Sequence, residues 1–81
     1  MNYENIFGER VKQFRIEANL TQQKLGEIVG LSKQAINDIE KGRRQTTVTK
    51  AILIAQYFNT TVEYLCGDDE YRYRDNYPTK Y

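Results

Sequence analysis

The chain has 81 residues, 40% of them hydrophobic, and a formal net charge of +1, which predicts one small domain and excludes a strongly basic or acidic protein. It contains no histidine and one cysteine, Cys66, so the sequence offers no internal disulfide, no Cys/His metal cluster and little support for an enzyme. The longest apolar run, residues 51–55, is too short to span a bilayer, and the N-terminal segment lacks the apolar core of a signal peptide. We therefore expect a cytoplasmic protein without a metal or cofactor.

The first predicted helix begins after Asn5, which can cap it, and ends near Ala18. Its apolar side chains recur at spacings of four, three and four residues, as on the buried face of a helix: Phe7, Val11, Phe14 and Ala18. Asn19 follows and favours the left-handed conformation that ends many helices. We expect this helix to pack one apolar stripe against the rest of the domain.

Residues 22–41 predict two short helices joined by a tight turn. Apolar residues follow helical spacing in both segments: Leu25, Ile28 and Val29, then Ile36 and Ile39. Gly30 can adopt a positive φ at the turn, while Thr21 and Ser32 can cap the two helices. Gly26, inside the first of them, costs about 1 kcal/mol relative to alanine, which indicates a closely crossing helix. The arrangement predicts a helix-turn-helix, a motif whose second helix reads DNA.

Positive charge is concentrated around the second of these helices. Residues 31–50 contain five basic and two acidic side chains, a local net charge of +3. Residues 67–81 contain four acidic and three basic side chains, a net charge of −1. A locally basic surface on a near-neutral protein is compatible with phosphate contact.

Two more helices complete the predicted domain. Thr47 can cap the fourth helix, and its expected buried face consists of Val48, Ala51, Ile52, Ala55 and Phe58. Asn59 ends that helix, and Thr61 caps a short fifth helix that contains Val62, Tyr64, Leu65 and Cys66 and closes at Gly67. We divide the chain into a helix-turn-helix domain, residues 1–67, and a polar, tyrosine-rich tail, residues 68–81. The tail is expected either to be flexible or to form an edge strand at residues 71–74 that pairs with a second protomer.

The motifs along these helices resemble the Cro and phage-repressor type of helix-turn-helix domain, also called the xenobiotic-response-element (XRE) family. The matching segments are GERVKQFR at residues 8–15, LTQ at 20–22, INDIEKG at 36–42 and YLCG at 64–67. The resemblance covers residues 7–67 and implies a compact, all-α, five-helix, lambda-repressor-like fold. Thr46 and Thr47 stand where the family often has proline and serine, and Asn59 replaces a common glycine.

Burial of Ile36 and Ile39 directs four polar side chains of the third helix to its open side, and the resemblance implies that they contact bases in the major groove: Lys33, Gln34, Asn37 and Asp38. Lysine suits guanine, glutamine and asparagine suit adenine, and aspartate suits cytosine. Ala35 is expected to touch a thymine methyl group. Five residues are candidates for contacts with the DNA backbone: Gln22, Ser32, Lys41, Arg43 and Arg44. Simple solvation of a polar surface is the alternative interpretation of these residues.

The resemblance also implies a structural ion pair. An arginine late in helix one often pairs with a glutamate late in helix three in this family, and Arg15 and Glu40 occupy those positions. We expect the pair to be partly buried and to tie the third helix to the core.

These observations predict a sequence-specific DNA-binding transcriptional regulator, in particular a repressor that binds a palindromic operator on double-stranded DNA as a homodimer. Helix five with Tyr64 and the tail is the expected dimer surface. No membrane and no small-molecule ligand is expected as a partner. An antitoxin or a restriction-modification controller on the same fold is one alternative. A protein-interaction module is the other, favoured by Asp38 and by the modest net charge.

Overall fold

The computed structural model describes residues 3–74, which fold into five α-helices and a short 3₁₀ helix. The α-helices are α1 (Tyr3–Glu17), α2 (Gln22–Val29), α3 (Lys33–Glu40), α4 (Val48–Tyr57) and α5 (Val62–Leu65), and the 3₁₀ helix is Asp69–Tyr71. No strand occurs within this part of the chain. The prediction of an all-α, five-helix domain with α2 and α3 as its helix-turn-helix is confirmed.

Hydroxyl side chains define where the helices begin. In α2 to α5 the residue before the helix accepts a hydrogen bond from a backbone N–H three residues ahead, and these residues are Thr21, Ser32, Thr47 and Thr61. All four were predicted as caps. Asn19 and Asn59 were predicted to end their helices, and both have positive φ values, 58° and 55°. The expectation for Asn5 is wrong, because α1 already includes Tyr3 and Asn5 lies inside the helix.

The core lies where α1, α2 and α3 meet the later helices. Its fully or almost fully buried side chains come from all five helices: Phe7, Val11, Leu25, Val29, Ile36, Ile39, Ala51, Ile54, Ala55, Tyr64 and Leu65. Phe14 stacks on Phe58 with ring centroids 5.3 Å apart, which links α1 to the end of α4. Burial of Ile36 and Ile39 fixes which side of α3 faces away from the core.

Two glycines allow close backbone approaches. A Cβ on Gly8 would lie 2.8 Å from the carbonyl oxygen of Glu40 and closer still to that of Ile39, so α1 crosses α3 at this point. A Cβ on Gly26 would overlap the carbonyl oxygen of Leu31. The residue that Gly26 accommodates therefore belongs to the turn and not, as expected from the sequence, to a crossing helix.

The buried face of α4 differs from the predicted one. Val48 is 75% exposed and Ile52 is 41% exposed, whereas Ile54 is fully buried. The helix begins at Val48, and its inward face is centred on residues 51, 54, 55 and 58, which places Val48 and Ile52 on its flank. Ala18 is also exposed, because α1 ends at Glu17 and the chain turns there.

Residues 68–74 pack against the helical domain and contain no strand. The hydroxyl of Thr61 donates to the carbonyl oxygen of Tyr71 at 2.6 Å, and that of Thr60 donates to the carbonyl oxygen of Arg72. Both threonines are completely buried. Their buried O–H groups thus depend on this segment for acceptors, since an unpaired buried donor is destabilising. The predictions for residues 75–81 lie outside the described part of the chain.

Tyr64 lies beneath this segment. The guanidinium of Arg10 stands 4.2 Å above its ring, and that of Arg72 stands 5.1 Å from the ring centroid and donates to the tyrosine hydroxyl at 2.6 Å. Only 8% of Tyr64 is exposed. Because two arginines of the same chain cover it, Tyr64 offers little surface to a second copy, and a dimer contact on helix five and the tail remains a prediction.

Ending the chain at Gly67 should lower the free energy of unfolding by about 2 kcal/mol, because two buried hydroxyls lose their acceptors and the Arg72–Tyr64 contact is removed. Urea denaturation followed by circular dichroism measures the change. A chain that ends at Arg74 keeps every one of these contacts and serves as the control. Equal stability of the two truncated chains would show that residues 68–74 add nothing to the fold.

Candidate nucleic-acid interface

The turn between α2 and α3 is held by backbone hydrogen bonds. Gly30 has a φ of 77°, and both its N–H and that of Leu31 donate to the carbonyl oxygen of Gly26. Ser32 then begins α3 by accepting from the N–H of Ala35 at 3.0 Å. These contacts, together with the burial of Ile36 on the inner side, fix the direction in which α3 leaves the turn.

Four of the five α3 residues predicted to face DNA lie on one accessible side. Lys33 and Gln34 are exposed at the first turn of the helix, and Asn37 and Asp38 are half-buried one turn later. Ala35 is only 3% exposed, so the expectation that it touches a thymine methyl group is wrong. Its position one residue before Ile36 and four before Ile39 turns it toward the core.

Gln34 and Asp38 are paired on the outer side of α3. The Gln34 Nε2 group donates to Asp38 Oδ1 at 3.0 Å, across one helical turn. Neither side chain belongs to the core cluster, so this pair lies on the accessible side of α3.

The ion pair implied by the family resemblance is present beneath α3. Arg15 Nε lies 2.6 Å from Glu40 Oε2, and a second guanidinium nitrogen donates to Oε1 at 3.0 Å, which makes the pair bidentate. The remaining nitrogen of Arg15 donates to the carbonyl oxygen of Leu20 at 2.8 Å. With 12% and 2% of the two side chains exposed, the pair fastens the end of α3 to α1 and to the segment that precedes α2.

Gln22, the first residue of α2, connects this ion pair to Asn37 of α3. Its Nε2 group donates to Glu40 Oε1 at 3.1 Å and to Asn37 Oδ1 at 3.2 Å. Spacing in the sequence cannot reveal this connection, because Gln22 and Asn37 lie 15 residues apart on two different helices. A contact between Gln22 and the DNA backbone remains a prediction.

Cations flank α3 at both of its ends. Lys33 opens the helix, and Lys41, Arg43 and Arg44 follow it, all of them exposed. Within residues 3–74 none of these four forms an ion pair. Ser32 is exposed as well, and its capping oxygen still carries an O–H that can donate to a phosphate.

Lys50 is one of the five basic residues between positions 31 and 50, and it has a structural contact. Its Nζ group donates to the carbonyl oxygen of Val29 at 2.9 Å, at the carboxyl end of α2. A cation at this end satisfies an unpaired carbonyl and interacts favourably with the helix dipole. Part of the local positive charge is therefore used to hold α4 against α2.

Residues 11–65 match the family model described as helix-turn-helix. The chain belongs to this helix-turn-helix family, and within it to the XRE type. Its members are transcriptional regulators. The regulator is 36% identical over 62 residues to the control protein C.SmaI of Serratia marcescens, a match that covers 76% of this chain and 74% of that protein.

Solved structures of similar fold include a repressor bound to DNA. The helix-turn-helix regulator is similar to the P22 c2 repressor in complex with a synthetic operator, with a TM-score of 0.74, 25% identity, and coverage of 78% of this chain and 96% of that one. It is also similar in fold to the restriction-modification controller C.AhdI of Aeromonas hydrophila, with a TM-score of 0.69, 22% identity, and coverage of 76% and 94% of the two chains.

A membrane-spanning helix, a metal site or a reactive thiol would each indicate another kind of function. Between residues 3 and 74, no helix is both long and apolar enough to cross a membrane, and no cluster of His, Cys, Asp or Glu side chains could hold a metal ion. Burial raises the pKa of the Cys66 thiol, and the nearby Glu63 carboxylate raises it further. The thiol is therefore protonated near neutral pH and is a weak nucleophile.

Proposed function

We propose that this chain is a sequence-specific transcriptional repressor that binds a palindromic operator, acts in the cytoplasm and has no enzymatic activity. The observation that carries the proposal is the presentation of α3. Its inner side is fixed by Ile36, Ile39 and the bidentate Arg15–Glu40 pair, while its outer side carries four polar residues flanked by cations. A rigid helix with a polar outer face is the element that such proteins place in the major groove.

The outer residues differ in what they can recognise. Lys33 can donate to guanine N7 and O6, Gln34 to adenine N7, and Asp38 can accept from cytosine N4. The candidates for phosphate contact are the residues at the ends of the two helices: Gln22, Ser32, Lys41, Arg43 and Arg44. In this proposal the phosphate contacts fix the register of the protein on DNA, and the base contacts supply the specificity.

A homodimer follows from the size of one recognition helix, which reads only a few base pairs. Two symmetric copies about 34 Å apart would read successive major grooves of an inverted repeat. Because Tyr64 is covered, we place the dimer contact on the exposed apolar flank of α4, at Val48 and Ile52. A second copy of the chain would remove this apolar surface from water.

A restriction-modification controller is the second candidate function. The similarity to the control protein of Serratia marcescens and the fold shared with the Aeromonas hydrophila controller support it. This role retains the operator and the dimer but allows activation as well as repression. Binding of a protein partner in place of DNA would require that the outer residues of α3 contribute nothing to DNA affinity.

Selection from random duplex DNA tests the proposal. The wild-type protein should enrich an inverted repeat, and Lys33→Ala should reduce affinity for it about tenfold and relax the preference at one base pair per half-site. Lys41→Ala should instead weaken binding to all sequences and lower the slope of affinity against salt by about two, since each protomer of the dimer loses one phosphate contact. Lys12→Ala, on the exposed side of α1, is the control. If no sequence is enriched at low salt, the operator proposal fails.

A further inference from the structure

We propose that Asn37 reads guanine or thymine as a hydrogen-bond donor, because Glu40 and Gln22 fix the orientation of its amide before DNA binds. This inference rests on the proposed function and names the specificity of one residue within it. It differs from the expectation from residue type alone, which is bidentate recognition of adenine by asparagine.

The Glu40 carboxylate determines which atom of a neighbouring amide can approach it. Both of its carboxylate oxygens accept hydrogen bonds from Arg15, so only a donor can approach the carboxylate from another side. The atom of Gln22 that lies 3.1 Å from Glu40 Oε1 must therefore be the amide nitrogen and not the amide oxygen. The buried ion pair thus determines which way the Gln22 amide points.

The orientation of the Gln22 amide in turn sets that of Asn37 on α3. The same Gln22 nitrogen lies 3.2 Å from the Asn37 amide, and an amide nitrogen requires an acceptor there. Asn37 must therefore turn its Oδ1 atom toward Gln22. Its NH2 group is left without a partner within residues 3–74, which makes Asn37 a donor to whatever binds the outer side of α3.

The orientation of the Asn37 amide determines which bases it fits. Bidentate pairing with adenine needs the asparagine oxygen to accept from N6 while its nitrogen donates to N7. In this structure the oxygen already accepts from Gln22, so pairing with adenine would have to share or break that bond, whereas the NH2 group is free to donate. Guanine presents two neighbouring acceptors in the major groove and thymine presents O4, whereas adenine places its N6 donor beside its acceptor N7, so guanine and thymine match a donor better than adenine does.

Gln34 and Asp38, on the same outer side of α3, are not held in place in the way that Asn37 is. Asp38 can only accept, so Gln34 directs its nitrogen to that carboxylate and keeps its oxygen free. No residue of the core takes part in this pair. Gln34 can therefore rotate away from Asp38 when a base offers a better partner, whereas Asn37 is held through Gln22 by a buried ion pair.

Selection from random duplexes with Asn37→Asp identifies the base pair that Asn37 reads, since aspartate keeps the acceptor toward Gln22 and loses the donor. We expect the wild-type protein to select guanine or thymine at that position. The variant should show a preference there that is about tenfold weaker. Gln22→Met should broaden the same position and no other. Gln13→Ala, which removes an exposed glutamine of α1, is the control and should leave every position unchanged.

Adenine at the Asn37 position, an unchanged base preference there in Asn37→Asp, or an unchanged profile in Gln22→Met would each overturn the inference. Nuclear magnetic resonance of the free wild-type protein gives an independent test, because the Gln22 side-chain NH2 protons should show scalar couplings or slowed exchange that mark hydrogen bonds. Freely exchanging Gln22 NH2 protons would overturn the inference without any use of DNA. Failure to enrich any sequence, with protected Gln22 protons, would instead reject the operator proposal alone.

Discussion

Arg15→Ala is expected to destabilise the domain by about 3–5 kcal/mol, the range for breaking a buried ion pair by removing one partner. The substitution leaves the Glu40 carboxylate, whose side chain is 2% exposed, with Gln22 as its remaining hydrogen-bond partner among these side chains. It also removes the bond to the carbonyl oxygen of Leu20. Urea denaturation followed by circular dichroism at 222 nm measures the loss. The free energy of unfolding should fall by about 1 kcal/mol or more per molar urea, so the expected loss shifts the midpoint clearly.

A surface pair in the same protein provides the control. Arg10 and Asp69 are 2.7 Å apart, but 80% of the Asp69 side chain is exposed, so Asp69→Ala should cost less than about 1 kcal/mol. The double variant Arg15→Met, Glu40→Leu should be more stable than Arg15→Ala, because no unpaired charge remains buried. If Arg15→Ala and Asp69→Ala cost the same, the Arg15–Glu40 pair does not fasten α3 as described.

Gly8→Ala is expected to destabilise the domain by about 3 kcal/mol, the upper part of the range for overpacking. A methyl group at this position would overlap the carbonyl oxygens of Ile39 and Glu40, and neither backbone atom can rotate away. The helices α1 and α3 must then separate, which weakens the packing of Ile39. This loss has to exceed the gain of about 1 kcal/mol that alanine brings to a helix interior.

Thermal denaturation compares Gly8→Ala with Gln13→Ala, a substitution on the exposed side of the same helix that should change stability by less than about 0.5 kcal/mol. The melting temperature of Gly8→Ala should fall by more than 10 °C, given about 4–8 °C per kcal/mol for a domain of this size. A higher melting temperature in Gly8→Ala would mean that helix propensity outweighs the crossing and that α1 and α3 are not in close contact there.

Local chemistry made the helix boundaries predictable. The caps Thr21, Ser32, Thr47 and Thr61 act through their own neighbours in sequence, and Asn19 adopts the left-handed conformation for which it was singled out. The inward faces of α2 and α3 were also predictable, because few apolar residues occur in these helices and they are regularly spaced.

The buried face of α4 could not be read in the same way. Seven of its ten residues are apolar, counting Val48, Ala51, Ile52, Leu53, Ile54, Ala55 and Tyr57, so several faces fit a helical period equally well. Only tertiary packing, in which α4 contacts α2 and α5, selects Ile54 over Ile52. Periodicity loses its power where the apolar residues surround the helix.

Some contacts of the candidate site could be predicted from the sequence and others could not. The outer residues of α3 followed from which side Ile36 and Ile39 occupy, and the Arg15–Glu40 pair came from the family resemblance and not from spacing. The link from Gln22 to Asn37 joins two helices and has no signal in sequence. The packing of residues 68–74 was missed because their polar composition suggests a solvated tail, whereas their backbone carbonyls serve two buried threonines.

The connection of Asn37 to the buried ion pair has a consequence for how new operators could be acquired. Gln34 and Asp38 can be exchanged, alone or together, without disturbing any core contact, so natural variants or engineered libraries can explore these two positions at little risk to folding. Asn37 shares its partner Gln22 with Glu40, so retargeting at this position requires a coordinated change on α2. Libraries that vary Gln22 and Asn37 together should therefore yield more functional clones than libraries that vary Asn37 alone.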